Sequence, residues 1–338
     1  MRLLFVLLVF PLLLFAKEYR VGVLFWSESI PGQVAMKKGL ESQIEELNKE
    51  ALKSDKPLVV PYFFIAGDGN RGIERQIEQF YKLIDMDVDI IIVQPTDGAA
   101  LIDPLLVANK KGIPVIAYDQ YIKAGKLHSF ITSDNFQAGY LNGEYISWYF
   151  KKDVINIVLV DYPHVSSTVH RVEGFLQALE DYGQNYNIIK NYKAVEPVGG
   201  KKVAKKILSE LDASEVDAVF CVNDGGGYVI AKELLDAEFD AVVTTVDGQP
   251  ESVDIIRESG NIKIDSAQFC GEMGRVAMSE AYAILEGKKS DSMIIIPTFP
   301  ITKDSLKEYN GWLGKPPISY KKTWYSNTPI WRYELGVE

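Results

Sequence analysis

Three apolar runs in this chain end in polar groups of the kind that can hydrogen-bond a hydroxylated ligand. In Gly112-Ile-Pro-Val-Ile-Ala-Tyr-Asp-Gln120 a carboxylate and an amide close the run, so acceptors and a donor stand together at Asp119 and Gln120. The pattern recurs where Val246 leads into Asp247-Gly-Gln249, and where Val222 leads into Asn223-Asp224 ahead of Gly225-Gly-Gly227. Buried parallel strands read as short continuous apolar runs, and open α/β sheets bind ligands outside the carboxyl ends of such strands. Carboxylates and amides placed there suit a polyhydroxylated small molecule. The bland alternative is that these residues cap helices or turns. For Asp119, Asn223 and Asp247 taken together, ligand contact is the favoured reading.

Other chemistries are less well supported. Gly67-Asp-Gly-Asn-Arg-Gly72 is a literal G-x-G-x-x-G between an expected strand and an expected helix, with Asp89 and Asp97 roughly twenty positions on, as a dinucleotide-binding loop requires. It follows the second strand and not the first, however, and the loop after Phe25 is not glycine-rich. An exported oxidoreductase binding nicotinamide there is the competing enzyme hypothesis. Gly225–Gly227 lacks the Lys-Ser/Thr of a phosphate loop and reads as a tight turn into a helix, where glycine serves positive φ or close approach. His128, His164 and His170 have no strong metal spacing to a Cys or carboxylate, and no nucleophile elbow stands out. The expectation is a non-enzyme without cofactor or metal.

Length and composition frame these sites. With 338 residues, 47% of them hydrophobic and 24% charged, the chain can build one large or two medium domains. A net charge of −10 argues against a nucleic-acid partner. Residues 1–16 have a basic start, an apolar run and a small residue before Lys17, the pattern of a secretory signal peptide, with an uncleaved anchor as the alternative. No Cys follows the run, so a lipid anchor is not expected, and the mature protein is placed in the periplasm. Cys221 and Cys270 read as buried small hydrophobes, although a bridge stays open.

The positioning elements alternate strictly. Strand Tyr19–Phe25, a helix from Gln33 to about Lys49, strand Leu58–Ile65, a helix from Ile73 to about Asp85, strand Val88–Val93 and a helix through Lys110 precede the run that ends at Asp119. Strict β-α alternation implies parallel sheets with right-handed crossovers. A second series starts after Ser133-Asp-Asn135, with strands Ile155–Val160, Tyr186–Tyr192, Ala218–Val222 and Ala241–Val246. Two such series predict two lobes, residues 17–133 plus 269–298 and residues 134–268 plus 299–306. Residues 307–338, with Trp312, Trp324 and Trp331, form an aromatic, irregular tail packed over a lobe.

In this order the pieces resemble the periplasmic solute-binding proteins of the ribose- and galactose-binding type, relatives of the ligand domain of lactose-repressor-like regulators. The matching stretches are Ile91-Ile-Val-Gln-Pro-Thr-Asp97, Gly112 to Asp119, Ser133-Asp-Asn135 with Gly139, Arg171-Val-Glu-Gly-Phe175, Val219 to Asp224, Val246-Asp-Gly248 and Ala267-Gln268. Ile296 to Lys303 is similar to the family's closing strand. The resemblance implies two Rossmann-like lobes with parallel sheets, joined by a three-crossover hinge near Ser133, near Gln268 and after Ile296. It makes Asp119 the sugar-hydroxyl acceptor, and Asn223, Asp247 and Gln268 polar contacts from the second lobe and hinge. Gly32 and Gln33 stand where ribose-type proteins carry paired phenylalanines, which leaves Trp26 to supply a stacking face beside Gln33. Gln120 replaces the arginine that commonly follows the Asp, and the arginine of the second lobe falls to Arg171 or its neighbour His170. The implied function is capture of a monosaccharide by a monomeric periplasmic protein for an ABC importer. Presentation of a sugar-like signal, such as an autoinducer, to a sensor kinase or chemoreceptor is the alternative.

Overall fold

The computed structural model describes residues 17–67, 69–150, 153–163 and 165–337. The expected signal peptide, Asp68 of the glycine-rich loop and His164 lie outside them. Among the described residues, no helix is long and apolar enough to cross a membrane.

The chain opens with β1 (Glu18–Phe25), α1 (Pro31–Ser54), β2 (Leu58–Ile65), α2 (Gly69–Asp85), β3 (Ile90–Val93), α3 (Ile102–Lys111), β4 (Val115–Tyr118) and β5 (Ser129–Ser133). It continues with α4 (Asn135–Tyr149), β6 (Val154–Asp161), α5 (Ser166–Asp181), β7 (Asn185–Lys193), α6 (Pro197–Glu210), β8 (Ala218–Cys221), α7 (Asp224–Asp236), β9 (Val242–Asp247), α8 (Pro250–Arg257) and β10 (Ile262–Ala267). Then come α9 (Cys270–Leu285), β11 (Met293–Ile296), β12 (Phe299–Ile301), β13 (Ser319–Lys321), β14 (Ile330–Arg332) and β15 (Gly336–Val337).

These strands make two large sheets. One runs β2-β1-β3-β4-β5-β11-β15, parallel except for β15, and the other runs β7-β6-β8-β9-β10-β12, parallel except for β12. Helices cover both faces, which is why β3 and β4 are four-residue apolar runs with every side chain buried. Among the described residues the chain passes between the sheets from β5 to α4, from β10 to α9 and from β11 to β12, and the tail returns a fourth time from β12 to β15. This is the two-lobed type I architecture.

Each lobe contains a helix pair that packs backbone to backbone. A Cβ on Gly39 of α1 would lie 1.8 Å from the Gly271 carbonyl oxygen, and one on Gly139 of α4 would lie 1.7 Å from the Arg171 carbonyl oxygen. The second contact matters for function, because it fixes the start of α5, which carries Arg171, against the start of α4.

Two local readings change. Gly225–Gly227 belongs to the first turn of α7 and none of the three has positive φ; a Cβ on Gly227 would meet Thr245 Oγ1 at 2.6 Å, so the glycine serves close approach and not a turn. The tail is also less irregular than expected. Its β13 and β14 pair antiparallel, and β15 extends the first lobe's sheet along β11.

Candidate ligand-binding site

The carboxyl ends of β4 and β9 face each other near the crossovers. Asp119 follows β4 directly and adopts a left-handed φ of 65°, its N–H bonded to the Ile131 carbonyl at 2.9 Å. Its Oδ2 accepts a 2.9 Å hydrogen bond from Gln94 Nε2, and Gln94 itself is wholly buried at the end of β3. Asp247 ends β9 with a φ of 130°, a conformation that costs about 1–3 kcal/mol and persists only where the surroundings impose it. Here the imposing bonds are on its own carbonyl, which accepts Gln268 N–H at 3.0 Å and Trp312 Nε1–H at 2.7 Å.

Arg171 joins these pieces. Buried in the first half of α5, it donates Nε to Asn135 Oδ1 at 3.0 Å and Nη1 to both the Val222 carbonyl at 2.8 Å and Asp247 Oδ1 at 3.0 Å. Asn135, first residue of α4, also accepts from Gln268 Nε2 at 3.4 Å and donates to the Ser133 carbonyl. One crossover residue, Asn135, thus touches a second, Gln268, and the arginine between them is aimed at the second lobe's carboxylate. Asp119 feels both: burial pushes its carboxyl up, the Gln94 hydrogen bond and the Arg171 charge pull it down, and the Asp247 charge pushes it up again. Asp247 is likewise raised by burial and held down by Arg171. Two carboxylates and one guanidinium close enough to feel one another's charge offer acceptors and donors to vicinal hydroxyls.

The remaining sequence-derived candidates divide. Gln33 is buried with its Oε1 unpartnered, one turn ahead of Met36, whose Sδ lies 3.5 Å from Gln94 Nε2; its helix face therefore points toward the Asp119 side. Gln120 sits half-buried beside Asp119, and Trp26 adjoins the site through its backbone N–H, which reaches Gln94 Oε1 at 3.4 Å. His170 is exposed, so the one-residue register favours Arg171. Asn223 does not join the cluster. Its Oδ1 caps α7 through Gly226 N–H and its Nδ2 goes to the Val195 carbonyl, which commits both ends of the amide to the protein. The sequence reading missed Gln94 and Asn135 as site residues, although Gln94 obeys the same strand-end rule that singled out Asp119. In the glycine-rich loop, a Cβ on Gly72 would lie 1.9 Å from the Gly67 carbonyl oxygen, so those glycines close the loop on itself. Cys221 and Cys270 are free and buried.

Beneath Asp247 lies a buried acid pair. Asp224 accepts Thr245 Oγ1–H at 2.8 Å and Gln249 N–H at 2.6 Å, while Asp265 accepts Gly248 N–H at 3.0 Å through Oδ1 only. Burial first, then the neighbouring carboxylates, push both up, Asp224 to about 7 and Asp265 well above the ordinary range. Because the folded state binds these protons more tightly than the unfolded chain, their stabilisation is complete at acid pH and is lost as pH rises from about 4 through about 7. The ligand-free protein should therefore melt at a higher temperature at pH 5 than at pH 8, and Asp265→Asn should flatten the profile. A wild-type melting temperature that rises between pH 5 and 8 would contradict the upward shift of this acid pair.

Residues 21–289 match the family described as periplasmic binding protein domain. The ribose import binding protein of Bacillus subtilis (strain 168) is 25% identical over 282 residues, covering 83% of this chain and 86% of that protein. That of Escherichia coli (strain K12) is 25% identical over 261 residues, covering 77% and 82%. Among solved structures, a periplasmic solute-binding protein of an ABC transporter from Actinobacillus succinogenes 130z with bound D-allose superposes with a TM-score of 0.74 at 21% identity, covering 86% of this chain and all of that one. The Caulobacter myo-inositol binding protein does so with a TM-score of 0.72 at 22% identity, covering 86% and 95%. Fold, crossovers and matched length agree: this chain belongs to the periplasmic binding protein family.

Proposed function

We infer that this protein captures a monosaccharide or a closely related polyol in the periplasm and delivers it to an ABC importer, without catalysing a reaction on it. The observation that carries this reading is the convergence of Asp119 from one lobe, Arg171 and Asp247 from the other, and Asn135 and Gln268 from the crossovers. Hydrogen bonds from hydroxyls to charged groups contribute about 1.5–3 kcal/mol each, so four reach the roughly 8 kcal/mol of a micromolar complex. A ligand bridging both lobes also favours the closed form, because it shifts the balance by its differential affinity for the two states. Closure on a small hydroxylated ligand is what an importer can recognise.

The relatives' named ligands supply the probes. In a thermal-shift and calorimetric screen of D-ribose, D-allose, myo-inositol and NAD, at least one of the first three is expected to stabilise the mature chain by about 2.7 kcal/mol at a hundredfold excess over its Kd. Stabilisation by NAD and by none of the polyols would overturn the reading in favour of the nucleotide alternative. Mass spectrometry of ligand retained through purification identifies the natural solute.

A further inference from the structure

The C-terminal tail lies beyond the family-matched residues and runs past the crossovers, touching both lobes. Its first contact is closest to the site. Tyr309 Oη donates to the Gly248 carbonyl at 3.0 Å, just after β9, and Trp312 Nε1 to the carbonyl of Asp247, the last residue of β9, at 2.7 Å. The Trp312 carbonyl in turn accepts Gly271 N–H at 2.8 Å, in the first turn of α9 on the other lobe. The fit is tight there, since a Cβ on Gly271 would lie 2.7 Å from that carbonyl oxygen and 3.2 Å from Leu313 Cα. Four residues of tail therefore join the loop that carries Asp247 to the opposite lobe. The same segment closes one side of a cavity of about 810 Å³ lined by Glu28 and Lys38 from one lobe and Asp254 and Arg257 from the other. Farther on, Trp331 Nε1 holds the Thr298 carbonyl in the third crossover at 2.7 Å, and Tyr333 Oη reaches Glu272 of α9 at 3.1 Å.

We propose that residues 309–313 are a splint across the two lobes and that Trp312 is a positioning residue, holding Asp247 where it meets the ligand. Asp247 needs such a holder. Its φ of 130° is unfavourable, and the direction of its carboxylate follows from a backbone fixed at the carbonyl by two hydrogen bonds, of which Trp312 provides one. The splint also acts on the equilibrium between lobe arrangements. Opening must break the Trp312–Gly271 or Trp312–Asp247 bond, so the ligand-free protein is biased toward the receiving arrangement, and a larger competent fraction raises apparent affinity in proportion. The affinity consequence rests on the sugar-binding reading above; the lobe-geometry consequence does not.

The test uses spin labels on the exposed positions Leu106→Cys of α3 and Leu235→Cys of α7 in the full mature chain, whose own cysteines are buried. Pulsed dipolar spectroscopy on the ligand-free protein is expected to give a narrow inter-lobe distance distribution in the parent. Its width should at least double in Trp312→Phe, which keeps a six-membered ring but loses the donor together with the pyrrole part of the indole. Tyr309→Phe should widen it less. Whichever of D-ribose, D-allose and myo-inositol binds the parent should bind Trp312→Phe about five- to thirtyfold more weakly, through a faster dissociation rate, with the melting temperature unchanged. An unchanged width in Trp312→Phe overturns the splint whether or not any sugar binds. A widened distribution with unchanged affinity overturns the positioning of Asp247. Absence of sugar binding in the parent defeats the functional reading alone, because the distance measurement still decides the splint.

Discussion

Arg171→Leu should weaken sugar binding by between about thirtyfold and a thousandfold, the largest loss expected from any single side chain of the site. The figure follows from what the guanidinium holds. It makes three hydrogen bonds, to Asn135, to the Val222 carbonyl and to Asp247, and its charge opposes the rise that burial imposes on the Asp119 and Asp247 carboxyls. Removing one partner of such a buried set leaves the other charge unpaired, which typically costs about 3–5 kcal/mol. Part of that loss is recovered when Asp247 takes up a proton, and the remainder corresponds to about 2–4 kcal/mol of binding. The proton gives the prediction a second edge. In Arg171→Leu the residual affinity should be stronger at pH 5 than at pH 8, since the neutral Asp247 no longer repels Asp119. Arg171→Lys should fall between wild type and Leu, because a single ammonium cannot span Asn135, Val222 and Asp247 at once. Calorimetric titration at both pH values decides the matter, and binding by Arg171→Leu within threefold of wild type would remove Arg171 from the site.

Much of this arrangement was legible in the chain because it follows from local rules. Parallel strands buried on both faces must be short apolar runs, and the residue that closes such a run must lie at the carboxyl edge of the sheet, which is where Asp119 and Asp247 stand. At Asn223 the strand-end position also serves as a helix cap, its Oδ1 accepting the Gly226 N–H and its Nδ2 donating to the Val195 carbonyl, so one residue meets both demands. His170 and Arg171 differ by one residue of helical register, and the structure buries Arg171 while leaving His170 exposed. Gln94 and Asn135 stayed hidden for a different reason. Their hydrogen-bond partners lie 25 and 36 residues away, and although Gln94 stands at a strand end, nothing in its neighbours names that partner. The tail is the extreme case, since its anchor lies 178 residues upstream.

That anchor yields the second large effect, on stability. Glu144 of α4 has no exposed side-chain surface, and Lys322, with 3% exposed, meets its Oε2 at 2.7 Å. Trp324 Nε1–H at 3.0 Å, Tyr182 Oη–H at 2.6 Å and the Ser326 hydroxyl also donate to this carboxylate, and Lys322 is further bonded to Ser326 and Thr328. Burial pulls the Lys322 ammonium down while Glu144 holds it up, the mark of a pair whose members depend on each other. Lys322→Met should therefore destabilise the protein by about 3–5 kcal/mol, because it strands a buried carboxylate, and Glu144→Gln should cost a similar amount by stranding the ammonium. The double variant should be less damaged than the sum of the two, since each single change already forfeits the same interaction. Urea unfolding followed by circular dichroism measures this as a lowered midpoint with an unchanged slope. A fall confined to tail-specific signals, with the midpoint of the lobes unmoved, would mean that the tail unfolds on its own and that Glu144 anchors only it. Losses below about 1 kcal/mol in both single variants would place the pair in the class of screened surface bridges despite its burial.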